Sequence, residues 1–215
     1  MNAPYQQPYS PGAQPDIGYR AQGPLPRFAA MGGGPRIAFI VIVSIMLLGF
    51  VVAIGTWTAA MIGADADPYR RPDDTLMGIG VTGFMVVILL LYVQIGVGLL
   101  WVYRAWSWLP WDQRYTRHWR GWISPGQAAL FLLVPYFHYY WMFVANTGLC
   151  DALDRLRVSY PTSQPAPKTL AIAASICQLV VPFPVAAILW ILFMSRVEKM
   201  TKEMSAAAHQ RSGAF

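Results

Sequence analysis

The chain has 215 residues, 56% of them hydrophobic and only 12% charged, with a formal charge of +6. A soluble domain carries about 25% charged residues, so the deficit points to lipid as the solvent, with length for one domain. The bases flank apolar runs instead of forming a patch, the pattern of charges that orient a chain in a membrane and not of a nucleic-acid surface. Two cysteines, Cys150 and Cys177, make no disulfide framework, and no Cys/His cluster has metal-ligand spacing, so neither cofactor nor metal is expected.

Residues 1–34 are rich in Pro, Tyr, Gln and Gly, a composition that cannot bury enough apolar surface to offset chain entropy. They are expected to form a disordered cytoplasmic tail whose tyrosines and prolines offer a docking segment for a protein partner. An uncharged apolar run from Ile37 to Ile62 is long enough to span a bilayer core, which takes about 20 residues. Ala64-Asp65-Ala66 has the form of a signal-peptide cleavage site, but the run exceeds the ~7–15 residues of such a segment, so no cleavage is expected. Gly55, Ala59 and Gly63, four apart, predict a close-packing helix face. The loop from Gly63 to Thr75 holds Asp65, Asp67, Asp73 and Asp74, offset by Arg70 and Arg71 and without EF-hand spacing, which argues against a cation site. A second span, 76–103, contains Gly78, Gly80 and Gly83 as G-x-G-x-x-G. Inside a membrane helix these mark a packing face and not a dinucleotide site.

Seven of the nine tryptophans lie between Trp101 and Trp141. The connection after the second span carries Arg104, Trp106, Trp108, Trp111, Arg114, Arg117, Trp119, Arg120 and Trp122. These residues suit a membrane interface, the rings at headgroup level and the arginines against anionic lipid. Ser124, Pro125 and Gln127 form a capping box that starts a third span, 125–145, kinked at Pro135. An amphipathic stretch then runs to about Val158, and a proline-rich linker leads to a fourth span, 169–194, interrupted by Pro182 and Pro184. Residues to Met204 continue it as a polar helix, with Glu198 and Lys202 at the favourable four-residue spacing. Residues 205–215 are expected to fray.

Four spans with both termini inside place 11 Lys and Arg on the inner face and 5 on the outer. If Pro135 makes the third segment re-entrant, the split is 10 to 6. Re-entrant backbone needs protein cover that four segments scarcely offer, so four full spans are expected. Gln94, His138 and Gln178 then fall at similar mid-membrane depth. They are read first as interhelical hydrogen-bonding groups and alternatively as the polar layer of a small transporter or channel.

The motifs W-x-Y-R-A (Trp101 to Ala105), S-P-G-x-A (Ser124 to Ala128) and P-x-x-x-x-Y-W (Pro135 to Trp141) resemble those of a group of uncharacterised small bacterial polytopic membrane proteins, a domain of unknown function. An amphipathic helix follows from Gly148 to Leu153, and the resemblance covers about a quarter of the chain. In that group Asn is common where His138 stands, which weakens a titrating or metal-binding role for His138, and variable cytoplasmic tails are frequent. The resemblance implies a membrane fold and no chemistry. The expectation is an all-α bundle of four transmembrane helices in the bacterial inner membrane. It would be a non-enzymatic module that binds a partner or organises lipid.

Overall fold

The computed structural model describes residues 30–65, 74–180 and 184–212. The expected tail up to residue 29, Asp67, Asp73 and Pro182 lie outside them. The described chain is almost entirely helical. Two helices, α1 (Gly34–Asp65) and α2 (Asp74–Trp108), are long and apolar enough to cross a membrane. Their 32 and 35 residues extend ~48 and ~53 Å at the α-helical rise. They form an antiparallel hairpin in which Gly49 faces Val87 and Gly83, and Ala53 faces Gly80 and Gly83. The packing stripe of α1 is therefore Gly49, Ala53, Thr56 and Ala60. It is not Gly55 and Ala59: Gly55 has open space where a Cβ would stand, and Ala59 is exposed. Of the glycines on α2, Gly80 and Gly83 pack and Gly78 does not. The expected stripe is spaced by four and the observed one by four, three and four, and either keeps its residues on one helix face, so spacing alone did not select between them.

After α2 a single 3-10 turn (Trp111–Gln113) leads into a small antiparallel hairpin, β1 (Tyr115–Thr116) and β2 (Gly121–Trp122). Helix α3 (Pro125–Leu130) follows, started by the expected capping box: Ser124 Oγ accepts from Gln127 N, and Gln127 Oε1 from Ser124 N. A 3-10 turn (Phe131–Leu133) carries it to Pro135, and α4 (Phe137–Ser159) begins past Tyr136, held at φ 61°. A non-glycine residue in that left-handed region marks an abrupt change of direction. Trp141 Nε1 donates to Ala128 O at 3.1 Å. Thirteen residues of straight helix would put them ~20 Å apart, so the chain has turned back on itself at Pro135.

The same holds for the segment expected as a fourth span. It is two helices, α5 (Lys168–Val180) and α6 (Val185–Ser212). Trp190 Nε1 donates to Gln178 Oε1 at 2.7 Å, where a continuous helix would separate them by ~18 Å. Neither 125–145 nor 169–194 is a single helix, so the described residues show two helices long and apolar enough to span a membrane and not four. Helix α6 also runs to Ser212 with Met204, Ser205 and Ala208 buried, beyond the point where fraying was expected.

One apolar core joins these parts, and it lies at one end of the long hairpin. It holds Phe39 and Val43 from the first turns of α1, and Trp101, Val102, Ala105 and Trp106 from the last of α2. Ile123, Ala145 to Leu156 on α4, and Ala187, Phe193, Val197 and Met204 on α6 complete it. Along the rest of α1 and α2 most of the large apolar side chains face outward, Leu48 and Leu89 among them, with Met46 buried, and only 6% of the most apolar stretch of α2 is buried.

Candidate functional site

The core end of the molecule also gathers the charge. Among the described residues, every charged residue except Asp65 and Asp74 belongs to the ends of the helices that meet there, to their connections, or to the middle and end of α6. Apolar hairpins leave this base in three places. The long one is α1/α2. The first short one is α3 with the start of α4, its turn at Leu133 to Tyr136. The second is α5 with the start of α6. Leu130, Leu133, Val134 and Tyr136 are exposed on the first, and Ile176, Val180, Val185 and Ile188 on the second.

At the centre of the base stands an ion pair between distant parts of the chain. Arg36 Nε lies 2.9 Å from Glu198 Oε2, and Arg36 Nη1 donates to Ser195 Oγ at 3.0 Å. Trp101 Nε1 donates to Glu198 Oε1 at 3.3 Å, and the Trp101 ring meets Phe193 edge to face at 5.6 Å. The first turn of α1, the last turns of α2 and the middle of α6 are thus tied at one carboxylate. Its side chain is only 2% exposed, against 27% for Arg36. Burial pushes the Glu198 carboxyl above its ordinary value, although Arg36 and Trp101 pull the other way. Sequence spacing paired Glu198 with Lys202 on a polar helix. In fact Glu198 points inward and Lys202 is exposed. Gly33 leaves room for this carboxylate, since a Cβ there would sit 3.3 Å from Glu198 Oε2.

The tryptophan- and arginine-rich connection is folded. Trp106 is completely buried, so it has no surface to offer lipid. Arg114 closes the end of α2, donating to Leu109 O at 3.0 Å and Ser107 O at 3.3 Å, a cation on terminal carbonyls. Trp111 and Trp122 stack at 5.4 Å, both exposed on their outer faces. Trp119 at the tip of the β-hairpin joins Phe131, Phe137 and Trp141 in a tetrad, all six pairs within 6.4 Å. That tetrad clamps the connection onto the first short hairpin. From α4, Arg155 donates to Gln113 O at 2.7 Å and Tyr115 O at 3.1 Å, holding the other end. Trp108 is half-buried, and Arg104, Arg117 and Arg120 remain exposed, Arg120 at φ 51°.

The second short hairpin is fixed at its root. Lys168 Nζ bonds Asp151 at 2.7 Å, Asp154 accepts from Ala166 N at 2.8 Å, and Glu203 accepts from Ser163 N and Oγ at 2.8 Å each. The Ser163 backbone N–H holds the Glu203 carboxyl below its usual range. Pro184 stands before α6 and accepts from Ile188 N at 3.1 Å.

The three polar residues expected at one depth have separate surroundings. Gln178 pairs with Trp190, His138 lies against Tyr139 at 3.8 Å between ring centres, and Gln94 Oε1 is enclosed without a hydrogen bond. No hydrogen bond or ring contact of the described residues joins any two of them. Among the described residues no group of His, Cys, Asp and Glu has metal-site geometry. No protein-family model, curated protein or solved structure matches this chain.

Proposed function

We propose that the chain is a non-enzymatic integral membrane protein of the bacterial inner membrane that acts on the bilayer as a lipid-organising module. The observation that carries this reading is the single base from which one long and two short apolar hairpins leave. The long hairpin exposes a continuous apolar surface that water would not tolerate, longer than the ~30 Å hydrocarbon core requires. The short hairpins leave the same base and return to it, most of their described residues helical and their roots covered by the core. Arg104, Arg117 and Arg120, with the exposed faces of Trp111 and Trp122, lie where anionic headgroups would meet the base.

Charge supports an orientation. Of the 16 Lys and Arg only Arg70 and Arg71 fall between α1 and α2, which leaves 14 on the base side. The positive-inside rule then puts the base and both termini in the cytoplasm, with a wider margin than four spans would have. The transport alternative has less support, because Gln94, His138 and Gln178 do not share a site.

Sidedness tests the reading. Val158 is 83% exposed at the end of α4. With four spans it lies outside the cell, and with a single base it lies inside. In a chain carrying Val158→Cys and Cys177→Ala, an impermeant maleimide should label Cys only after the inner face is opened. Labelling on intact cells would overturn the single-base arrangement.

A further inference from the structure

The depths of the three hairpins differ in a way that has a mechanical outcome. Helix α5 has 13 residues, ~20 Å from its root at Lys168 to its end. Helix α3 and its 3-10 extension have 6 and 3 residues, ~15 Å together. Half of a ~30 Å hydrocarbon core is ~15 Å, so both short hairpins end near the bilayer middle. Only α1 and α2, at ~48 and ~53 Å, continue into the far leaflet. The near leaflet therefore holds six helical segments and the far leaflet two. Each has a cross-section of ~80 Å² at a diameter of ~10 Å, so the imbalance is ~320 Å² per molecule.

What covers the short hairpins is fixed by their chemistry. Leu130, Leu133 and Val134 on one, and Ile176, Val180, Val185 and Ile188 on the other, are apolar and exposed. Their roots carry Lys168 and Arg196 and the helix start at Ser124. Apolar tips above a charged base match acyl chains above headgroups. The hairpins are also braced against bending outward: Arg36 bonds Ser195 at one root, the aromatic tetrad holds the first hairpin, and Ala187 near the tip of the second shares one core with Phe39 and Val43.

We infer that the protein is a one-sided wedge: its short hairpins expand the leaflet that meets the base and leave the opposite leaflet almost unchanged, so the chain collects on membrane that is convex on the base side. In a cell with the base inside, that is membrane bulging into the cytoplasm. The inference rests on the membrane reading above.

The test uses the full chain with a fluorescent C-terminal tag, reconstituted into giant vesicles of neutral and anionic phospholipid from which a narrow tube is drawn. Protease access to the tag reports which way the base faces. With the base outward, the protein-to-lipid fluorescence ratio should be higher on the tube than on the vesicle. With the base inward, it should be lower. The exposed tip changes Leu133→Glu and Val180→Glu, made together, should remove the enrichment while α1 and α2 keep the chain in the bilayer. Leu133→Ala with Val180→Ala should retain it. Flotation with vesicles after alkaline washing reports insertion separately. An inserted protein with equal density on tube and vesicle in both orientations overturns the wedge and spares the membrane reading. A chain that washes off overturns both.

Discussion

A carboxylate that is 2% exposed and shared by Arg36 and Trp101 makes the most direct demand on single residues. Removing one partner of a buried pair strands the other, at about 3–5 kcal/mol. Arg36→Met should therefore lower stability in detergent by about that much at neutral pH. The loss should shrink on acidification, as Glu198 takes up a proton and ceases to need a cation. The wild-type chain has its own pH dependence. Burial raises the Glu198 carboxyl above its ordinary 4.5, so the folded chain holds this proton at a pH where the unfolded chain has released it. The stability linked to that proton is complete below 4.5 and is lost as pH climbs through the raised value. Glu198→Gln cannot titrate and still offers Trp101 an acceptor. Melting curves from below 4.5 towards neutrality should show the wild type falling relative to this variant. Cys150 is a reporter of the same base. It is fully buried, and burial raises its thiol to about 12, so maleimide should leave it untouched in the folded protein and label it fast in denaturing detergent.

Between elements, glycines decide how close two backbones come. A Cβ at Gly80 would meet Thr56 Oγ1 at 3.2 Å and Ala53 O at 3.4 Å, whereas Gly78 faces open space. Gly80→Leu should separate α1 from α2 at about 1–3 kcal/mol, and Gly78→Leu should leave the melting temperature near the wild-type value. Gly148 is tighter still, since a Cβ there would stand 2.6 Å from Thr116 Cγ2. Gly148→Ala should push the β-hairpin off α4, seen as faster proteolysis of the 109–124 connection. Thr116→Ser, which deletes that methyl, should restore it. The sequence carried the long helices well, because an uncharged run in lipid needs no tertiary contact to be helical. It also carried the Ser124, Pro125 and Gln127 start, a local motif whose partners are three residues apart. The turning back at Pro135, and between Gln178 and Trp190, was less legible. A hydropathy profile has no direction, and an apolar run that crosses reads like one that returns. The prolines marked both places, but only the Trp141–Ala128 and Trp190–Gln178 bonds distinguish a bend from a reversal. Trp106 and Glu198 were misplaced for one reason: their fates depend on helices far away in sequence.

For the whole molecule, the charge asymmetry is large enough to survive damage. Arg104→Ala, Arg117→Ala and Arg120→Ala together take three of the 14 Lys and Arg outside the α1–α2 connection and leave 11 against Arg70 and Arg71. Orientation should hold in C-terminal reporter fusions, while each lost base should weaken attraction to anionic lipid by ~1 kcal/mol, read as reduced binding of a 104–122 peptide to anionic vesicles. The base also has a history within each molecule. Arg36 stands at the start of the first apolar helix, and the hydroxyl of Ser195 that receives its hydrogen bond is 159 residues later. A ribosome adding roughly 5–20 residues per second needs on the order of ten seconds or more to supply it. On the proposed membrane reading, the long hairpin is for that interval seated in lipid with its guanidinium unmatched and Trp101 without its acceptor. A chain stopped before α6 keeps both defects for good, so incomplete copies carry a chemical mark that finished ones lack, open to whatever protease surveys new membrane proteins.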